Sequence, residues 1–469
     1  MEPGLEVMGS LRKNSLSFLE TSFQGIAGSA PAGAAVATLT GAAAFALGAL
    51  PLAAVLGFGV VMLNAVIIRR ISLKTAGAGG YYSYIQKGLG TRAAGFSGIY
   101  YVFYQTMALC FMGLSTSVFV PALLSDAFGI NIPSIMFYPI ILGTLGFGFL
   151  ISYAGIRLSA RFSLIMAAAE IAVITVIGAV ILISHPSLNT PAVFTLSDDS
   201  NGITGLLLGV LLMYTAFSGF GASTPLGEEA RTPKKTIGNS VIVTVLVLGA
   251  FFIFSSYLFT VAYGPLNMFS YSQQLVPGIL MIKSMIGPAA ALLVSVLFIN
   301  SLLTGAVIVT NSTSRVMMAM GRDGIINRRF AITSEKHRTP YFSAMFVVLI
   351  AAAVGIVSNI IMGGFNAFLF AATAATLGVL LVHAVISASL PGMERSEPQG
   401  IKISSVVMSV AAIGIFAFIF YSTFLTISYG VIAGTVLFAA FTVGNVINSM
   451  TRAGRYVTDV QQNKTEQGA

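Results

Sequence analysis

Two stretches of small residues interrupt apolar segments that are long enough to cross a membrane, and both are suited to bind a charged ligand through main-chain groups. The first, residues 24–33, reads QGIAGSAPAG, and the second, residues 214–221, reads YTAFSGFG. An unpaired backbone group in hydrocarbon costs several kcal/mol, so a helix is interrupted there only where protein or a water-filled cavity satisfies the freed groups. Each stretch is therefore a candidate binding site.

A helix that breaks at membrane depth presents opposite partial charges on the two sides of the break. Pro31 lacks an N–H group and clashes with the carbonyl four residues earlier, so we predict released carbonyls at residues 26–28. Those carbonyls favour an ammonium group or a cation, whereas the N–H groups that begin the next half-helix favour a carboxylate. A zwitterionic α-amino acid satisfies both ends. The alternative is a proline kink with glycines that serve helix packing.

Glu170 is the one carboxylate in the middle of a predicted span. An ionisable group at that depth is expensive, which makes it a functional candidate. Burial disfavours the charged form of a carboxyl group, so Glu170 is suited to exchange a proton. The alternative is a protonated glutamate that is hydrogen-bonded to neighbouring backbone. His383, a lone histidine in the tenth predicted span, has the same two interpretations, a packing residue or a proton carrier.

The elements that position these residues are membrane helices. Of the 469 residues, 56% are hydrophobic and 8% charged, and the mean hydropathy is +0.91, which excludes an ordinary soluble protein. We predict an all-α polytopic membrane protein that lies in a lipid bilayer. Apolar windows of about 20 residues predict twelve transmembrane helices, near residues 17–45, 48–70, 93–124, 135–155, 162–184, 202–226, 239–263, 287–316, 341–360, 364–390, 404–424 and 427–450.

The charges fix the predicted topology. With this placement all but one of the 24 lysines and arginines fall on one side, the exception being Lys283. The positive side is cytoplasmic, so both termini are predicted in the cytoplasm, as an N-tail of residues 1–16 and a tail of residues 451–469. Because the net charge of +9 lies in short loops, nucleic acid is not expected as a partner. The single cysteine, Cys110, excludes an intramolecular disulfide and a cysteine metal site.

Three motifs carry a family resemblance. Phe217-Ser218-Gly219-Phe220 is followed by residues 228–235, EEARTPKK; Ser314-Arg315 is followed by residues 319–324, AMGRDG; and residues 76–90 read AGAGGYYSYIQKGLG. With these motifs the chain resembles an amino acid permease of the amino acid/polyamine/organocation (APC) superfamily. The glycine-rich residues 76–84 neither follow a strand nor open onto a phosphate-binding lysine, so we predict a tight re-entry or an amphipathic surface segment rather than a nucleotide loop.

The resemblance implies the LeuT/APC-type fold. Helices one to five, residues 17–184, and six to ten, residues 202–390, would form a five-plus-five inverted repeat, followed by two accessory helices in residues 404–450. The family binds the carboxylate and amine of its substrate on the broken backbone of helices one and six. Carried over by motif, the binding residues are Ile26, Ala27, Gly28, Ser29 and Ala30 with Thr215, Ala216, Phe217 and Ser218.

The sequence departs from the family at the gate and at the coupling site. Several members have an aromatic gate two positions before the residue matched by Phe217, and here that position is Thr215. Gating would pass to Phe217 or Tyr214, or involve neither. Tyr104, together with Tyr101 and Gln105, would line the pocket or, as a stripe at helical spacing, serve helix packing.

Glu170 stands where the resembling proton-coupled members have a lysine beside the first-helix break. The glutamate reverses the charge at that position. It would therefore bind and release a proton, or hold Na⁺ together with carbonyls of the first span and hydroxyls such as those of Ser301 or Thr304.

These features predict a secondary active transporter of amino acids or related amines in the plasma membrane, driven by H⁺ rather than Na⁺, with amino acid exchange as a third mode. We expect no cofactor beyond the coupling ion, no other metal, and a monomer or weak homo-oligomer. From other classes, a channel or sensor and a membrane-embedded enzyme using Glu228, Glu229 and Asp323 stay open. Three histidines, no two of them within ligand spacing, disfavour metal chemistry.

Overall fold

The computed structural model describes residues 10–196, 201–423 and 428–466, and for residues 423 and 450–466 the backbone alone. Residues 1–9 of the predicted N-tail and residues 467–469 of the predicted tail lie outside the described residues. In the described part the chain is helical, and the β pairing consists of an isolated bridge between Leu16 and Ala230.

Each of the twelve predicted spans corresponds to a helix among the described residues, and positions 424 and 427 of the last two predicted spans lie outside them. Ten continuous helical stretches of the described residues are long and apolar enough to cross a membrane. The first of them, Phe18–Ser72, contains the first two predicted spans, and the sixth predicted span is the shorter helix Gly202–Ala216. The spans from the second onward, apart from the sixth, are Leu50–Ser72, Thr91–Phe128, Phe137–Tyr153, Ile156–Ser184, Pro233–Tyr263, Pro288–Arg322, Tyr341–Met362, Gly364–Glu394, Ile403–Thr423 and Tyr429–Glu466.

The first span is the most irregular. It consists of the helix Phe18–Gly28, a short turn of helix Pro31–Gly33, a π-helical segment Ala34–Thr38 and the helix Leu39–Ala46. The connections contain the short helices Tyr81–Leu89, Met268–Ser272 and Pro277–Met285, and 3₁₀ turns at Leu47–Ala49, Ser134–Met136, Pro186–Leu188, Pro191–Phe194, Thr224–Leu226, Pro265–Asn267 and Arg328–Ala331.

The glycine-rich segment is followed by the helix Tyr81–Leu89. The side chains of Tyr81, Tyr82 and Tyr84 are buried, whereas Lys87 and Leu89 are exposed. The helix packs against the third and tenth spans, so its aromatic face is directed into the bundle. The helix is therefore amphipathic, one of the two predicted forms, with its apolar face on the other helices.

Packing around the middle of the bundle involves few spans. The third span packs against the eighth and tenth, and the helix Phe18–Gly28 packs against the fifth, seventh and eighth. The outer part of the first span, Leu39–Ala46, packs against the sixth. The eleventh and twelfth spans pack on the tenth, outside this group. The first, third, sixth, eighth and tenth spans therefore enclose the centre.

The segments that the charge pattern assigns to one side lie together at one end of the bundle. Leu16 in the N-tail pairs with Ala230, and Lys74 forms a 2.8 Å ion pair with Glu397. At the opposite end, the Lys283 ammonium donates a 2.6 Å hydrogen bond to the carbonyl of Ala127, where the third span ends. This arrangement agrees with the predicted alternation of the spans.

Candidate functional site

The break in the first span is confined to two residues. The helix Phe18–Gly28 ends on Ser29, and Ala30 adopts a left-handed conformation with φ 46°. Pro31 then begins the next helical turn at its first position, where a missing N–H group costs nothing. Proline also disfavours the right-handed helical conformation in the residue before it, so the sequence itself forces the interruption at Ala30.

The prediction of free carbonyls at residues 26–28 is wrong in part. Ser29 N–H donates to the carbonyl of Ile26 at 3.1 Å, and Ala30 N–H donates to that of Ala27 at 3.0 Å. The last turn of the helix tightens into 3₁₀-type bonds, a common way to satisfy the carbonyls of a helix end. Two of the three carbonyls are thus already hydrogen-bonded.

The break in the sixth span is longer and contains no proline before Pro225. The α-helix ends at Ala216, and Phe217, Ser218, Phe220 and Ala222 each donate to the carbonyl three residues earlier. The same pattern continues to Glu229 N–H, which donates to Leu226. The second half of this predicted span is therefore a series of tight turns rather than an α-helix.

The two breaks touch each other. A Cβ atom added at Gly219 would lie 2.0 Å from the carbonyl carbon of Gly28, so a side chain has no room at position 219. The Ser29 hydroxyl donates a 3.2 Å hydrogen bond to the carbonyl of Phe217. The predicted partnership of the two stretches is thus a direct contact.

A cavity of about 880 Å³, counting its open mouth, lies on one side of the breaks. Gly28, Ser29, Ala30, Thr215, Ala216 and Ser218 line it, whereas Ile26, Ala27, Tyr214 and Phe217 are not among its lining residues. Tyr104 and Gln105 line it from the third span. Most of the other lining residues of the third and eighth spans, such as Phe111 and Phe298, lie in the halves nearer to Lys283. The cavity therefore faces that end of the bundle.

Phe217 and Tyr214, the two predicted gate residues of the sixth span, point elsewhere. The ring of Phe217 packs edge-on against Phe252 with a 5.0 Å centroid distance, and the residue is fully buried. The Tyr214 hydroxyl forms a hydrogen bond with His383 Nδ1. The predicted packing role of His383 agrees with this bond and with its ring contacts, and a proton role for it stays a prediction.

Glu170 lies beside the first break, behind the cavity wall. It is 1% exposed, and it accepts three hydrogen bonds. Oε2 accepts from the Ala32 backbone N–H at 3.3 Å and from the Ser301 hydroxyl at 2.7 Å, and Oε1 accepts from Asn300 Nδ2 at 2.7 Å. The carboxyl group thereby joins the fifth span to the start of the outer half of the first span and to the eighth span.

The two hydroxyl residues predicted near Glu170 differ in their bonding. Ser301 contacts the carboxylate directly, whereas the hydroxyl of Thr304, three residues along the same helix, is buried and has no hydrogen-bond partner among the described residues. Asn300 was missed by the sequence reasoning. Its position next to Ser301 was the available signal, but sequence does not show which face of a helix meets a carboxylate.

A layer of tyrosines closes the site on the side opposite to the cavity. On that side of the breaks, a smaller space of about 270 Å³ is lined by Tyr81, Tyr101 and Tyr104. The hydroxyl of Tyr81 is buried beside Gly221, where a Cβ atom would lie 1.6 Å from it, and it has no hydrogen-bond partner among the described residues. The run of tyrosines after the glycines of residues 76–80 was the sequence signal for this layer.

A buried and a partly exposed ion pair lie beyond the tyrosines. Arg315 Nε and Nη2 donate to the two carboxylate oxygens of Glu229 at 2.5 and 3.0 Å, and both side chains are buried. Arg322 pairs with Glu228 at 2.9 Å. Glu228 and Glu229 are thus both engaged in ion pairs.

Asp323, the third acidic residue of that group, accepts a 2.7 Å hydrogen bond from the Tyr82 hydroxyl. Burial, and next the bond to Asp323, raise the pKa of Tyr82 above its usual range, so this hydroxyl keeps its proton and donates it. Among the described residues, no group of three or more His, Cys, Asp or Glu side chains is arranged to hold a metal ion.

Comparisons with known proteins agree with this geometry. The family model described as amino acid permease matches residues 20–459. The branched-chain amino acid permease BcaP of Bacillus subtilis is 25% identical over 203 residues, which are 43% of this chain and 42% of BcaP. An uncharacterized transporter of Mycobacterium tuberculosis is 24% identical over 404 residues, 84% of this chain and 83% of that protein. The low-affinity putrescine importer PlaP of Escherichia coli is 26% identical over 149 residues, 31% of this chain and 32% of PlaP.

The chain thus matches less than half the length of BcaP and of PlaP. Among solved structures, MhsT in complex with L-phenylalanine superposes with a TM-score of 0.63 at 14% identity, covering 88% of this chain and all of that chain. At this identity the likeness establishes the fold, which is the LeuT/APC-type fold. Since the family model matches most of its length, this integral membrane protein belongs to the amino acid permease family.

Proposed function

We propose that the chain is a secondary active transporter that carries an amino acid across the plasma membrane by alternating access, coupled to protons through Glu170. Both termini would be cytoplasmic, as the charge pattern predicts. The names of the relatives support an amino acid or amine as substrate, since BcaP is a branched-chain amino acid permease and PlaP a putrescine importer. The phenylalanine bound to MhsT supports the same substrate class.

The substrate head groups would bind at the two breaks. The first backbone bond of the outer half runs from Ala34 N–H to the Ala30 carbonyl, and Ala32 N–H is taken by Glu170. Gly33, which lines the cavity, therefore offers the N–H group of the first helical turn that is left for a carboxylate. The helix dipole at this end favours an anion. The ammonium group would bind to oxygen atoms of the turns at residues 215–218.

The observation that carries the coupling proposal is the position of the Glu170 carboxyl group. It bridges three spans at the break where the substrate carboxylate would bind, and each of its oxygens accepts from a donor. A proton on this group replaces an acceptor with a donor, so the bond to Asn300 or to Ser301 would have to rearrange. Proton binding would thereby change the contact between the fifth and eighth spans beside the first break.

Thr304 supports Na⁺ as the second candidate coupling ion. Its buried hydroxyl has no partner among the described residues, and it lies one helical turn from Ser301. A Na⁺ ion would need such oxygens together with the carboxylate. The three donors that Glu170 already accepts favour the proton, because a cation at the carboxylate would have to displace them.

One end of the bundle contains a cavity and the other end is closed, and this difference supports alternating access. The cavity lies on the Lys283 side of the breaks, while the other side is closed by the tyrosine layer of Tyr81, Tyr101 and Tyr104 and by the Glu229–Arg315 pair. With Lys283 on the outer side, as the charge pattern predicts, this would be the arrangement of a transporter open to the outside. Movement of these inner groups would open the path to the cytoplasm.

The test is amino acid transport by Glu170→Gln in proteoliposomes. Glutamine keeps the size of the side chain but cannot exchange a proton, so we expect accumulation driven by a pH gradient to be lost while counterflow of labelled substrate continues. Glu335→Gln, at an exposed position of a predicted cytoplasmic connection, is the matched control and should accumulate normally. Full accumulation by Glu170→Gln would refute the coupling role. Accumulation by the unchanged protein that depends on a Na⁺ gradient alone would favour the second candidate.

A further inference from the structure

We propose that the central cavity selects α-amino acids with neutral, apolar side chains and rejects substrates that carry a second charge, such as basic amino acids and diamines. This inference rests on the proposed function of amino acid transport and narrows its substrate class. It comes from what the cavity wall contains beyond the two breaks.

The wall of the cavity is uncharged. Among the described residues, no Asp, Glu, Lys, Arg or His side chain lines it. Apart from Tyr104 and Gln105, the larger lining side chains beyond the breaks are apolar and come from three spans: Phe111 and Met112, Phe298 and Leu302, and Val379. A substrate whose head groups lie on the breaks would place its side chain against these residues.

The charged residues near the cavity are already paired. Glu170 stands behind the wall, where Ala32, Asn300 and Ser301 donate to its carboxyl group. Glu229 at the inner end accepts hydrogen bonds from two nitrogens, Nε and Nη2, of the buried Arg315. A second ammonium or a guanidinium group in the cavity would therefore find no free carboxylate.

Several polar groups of the wall already donate their hydrogen bonds to other parts of the protein. Ser115 donates to the carbonyl of Phe111 at 2.7 Å, and Thr376 donates to that of Ala372 at 2.8 Å. Gln105 uses its amide NH₂ group on the Tyr101 hydroxyl and on Ser312. These bonds leave few donors in the wall to solvate an anionic substrate side chain.

A chain of aromatic rings supports the apolar wall from behind. Phe111 packs on Phe368 with a 4.9 Å centroid distance, Phe368 on Phe119 at 5.2 Å, and Phe119 on Phe298 at 6.2 Å. These rings join the third, eighth and tenth spans. The apolar surface is thus part of the packed core and is not suited to rotate away and admit water around a charge.

The energetic consequence is a strong preference. An apolar side chain gains about 25 cal/mol for each Å² removed from water, whereas a charge buried without a partner lowers affinity about 100-fold, which corresponds to about 2.8 kcal/mol. Shortening an apolar side chain also weakens binding, by about 10-fold for a removed methylene group. We therefore expect L-leucine to bind more tightly than L-alanine, and both far more tightly than L-lysine.

The first test is competition for uptake of radiolabelled L-leucine in proteoliposomes. We expect L-isoleucine, L-valine and L-phenylalanine to compete, and L-arginine, L-lysine, L-glutamate and putrescine to need concentrations about 100-fold higher. Competition by a charged compound as strong as by L-isoleucine would overturn the inference while leaving amino acid transport intact. Failure of every amino acid, charged or apolar, to be transported would overturn both.

The second test places a charge in the wall. Met112→Asp should weaken L-leucine competition at least about 10-fold and improve that of L-lysine, whereas Met112→Leu, the matched apolar control, should stay within about 3-fold of the unchanged protein. Ala375→Asp, on the tenth span of the same cavity, repeats the test at a second position if Met112→Asp does not fold. Unaltered L-leucine competition in a folded aspartate variant would contradict the inference.

Discussion

The two breaks at the centre of the protein are built in different ways. In the first span the interruption covers Ser29 and Ala30, and the helix starts again at Pro31. In the sixth span the α-helix ends at Ala216, and backbone bonds between residues three apart continue to Glu229. One break is short and is fixed by a proline, and the other is long and made of tight turns.

The contacts that hold the two breaks in place also differ. Glu170 ties the first break to the fifth and eighth spans with three hydrogen bonds. The sixth-span turns contact the first break through Gly219 and are anchored at their inner end by the Glu229–Arg315 pair. Hydrogen bonds of the 3₁₀ type have poorer geometry than α-helical ones, so such a segment rearranges more easily. We infer that the first break is the fixed reference for ion and substrate, and that the sixth span moves against it.

The largest effect is expected where the two breaks touch. Gly219→Ala would place a methyl group 2.0 Å from the Gly28 carbonyl carbon, so the breaks must separate. Since a displacement of about 1 Å in a site can cost about 100-fold in rate, we expect transport to fall at least that far. Initial uptake rates in proteoliposomes, corrected for protein amount, measure this change.

The matched control for that substitution is Gly59→Ala. A Cβ atom at Gly59, in the second span, meets nothing within 4 Å, so transport should not change. A rate for Gly219→Ala equal to that for Gly59→Ala would show that the breaks need not touch, and it would remove the basis of the comparison.

A smaller effect is expected from Pro31→Ala. The new N–H group can reach the Ala27 carbonyl, so the first break would partly close into a continuous helix and become less sharply defined. We expect the KM for substrate to rise about 10-fold. Pro121→Ala is the control, because Pro121 lies within the helix Thr91–Phe128 and away from the break. An unchanged KM and rate for Pro31→Ala would mean that the proline does not organise the site.

The smallest effect is expected from Ala30→Gly. A left-handed residue other than glycine costs about 1–2 kcal/mol, and Ala30 has φ 46°. Glycine should relieve this strain and raise the melting temperature of the purified protein by about 1–3 °C, with transport retained. A lower melting temperature would indicate that the Ala30 methyl group, which lies near Gly33 and Gly305, contributes more by packing than the strain costs.

The fold could be predicted from the sequence because hydropathy and charge follow regular patterns along the whole chain. The apolar windows and the number of lysines and arginines on each side of the membrane predicted the twelve spans. Burial in hydrocarbon and the retention of positive charge on the cytoplasmic side both act on whole segments. The first break was predicted because Pro31 dictates backbone geometry locally. The sixth-span break was predicted in place but not in length, since Gly and Ser are compatible both with helix packing and with turns.

The finer site depended on tertiary contacts that sequence does not carry. Asn300 and Ala32, which donate hydrogen bonds to Glu170, are far from it in the chain. Their residue types give no indication that they contact a carboxyl group. The orientation of Phe217 away from the cavity and of Tyr214 towards His383 follows from packing. The boundaries of the two inverted repeats and the roles of the individual binding residues stay predictions.

The central claim, proton coupling at the fixed first break, is tested most directly by measuring proton flux during transport. A pH-sensitive dye enclosed in proteoliposomes, without an imposed gradient and in buffers free of Na⁺, would report acidification of the lumen when L-leucine is added outside. The account predicts acidification with the unchanged protein and with Glu335→Gln, and none with Glu170→Gln. Substrate uptake by the unchanged protein without proton movement, or unaltered acidification by Glu170→Gln, would contradict it.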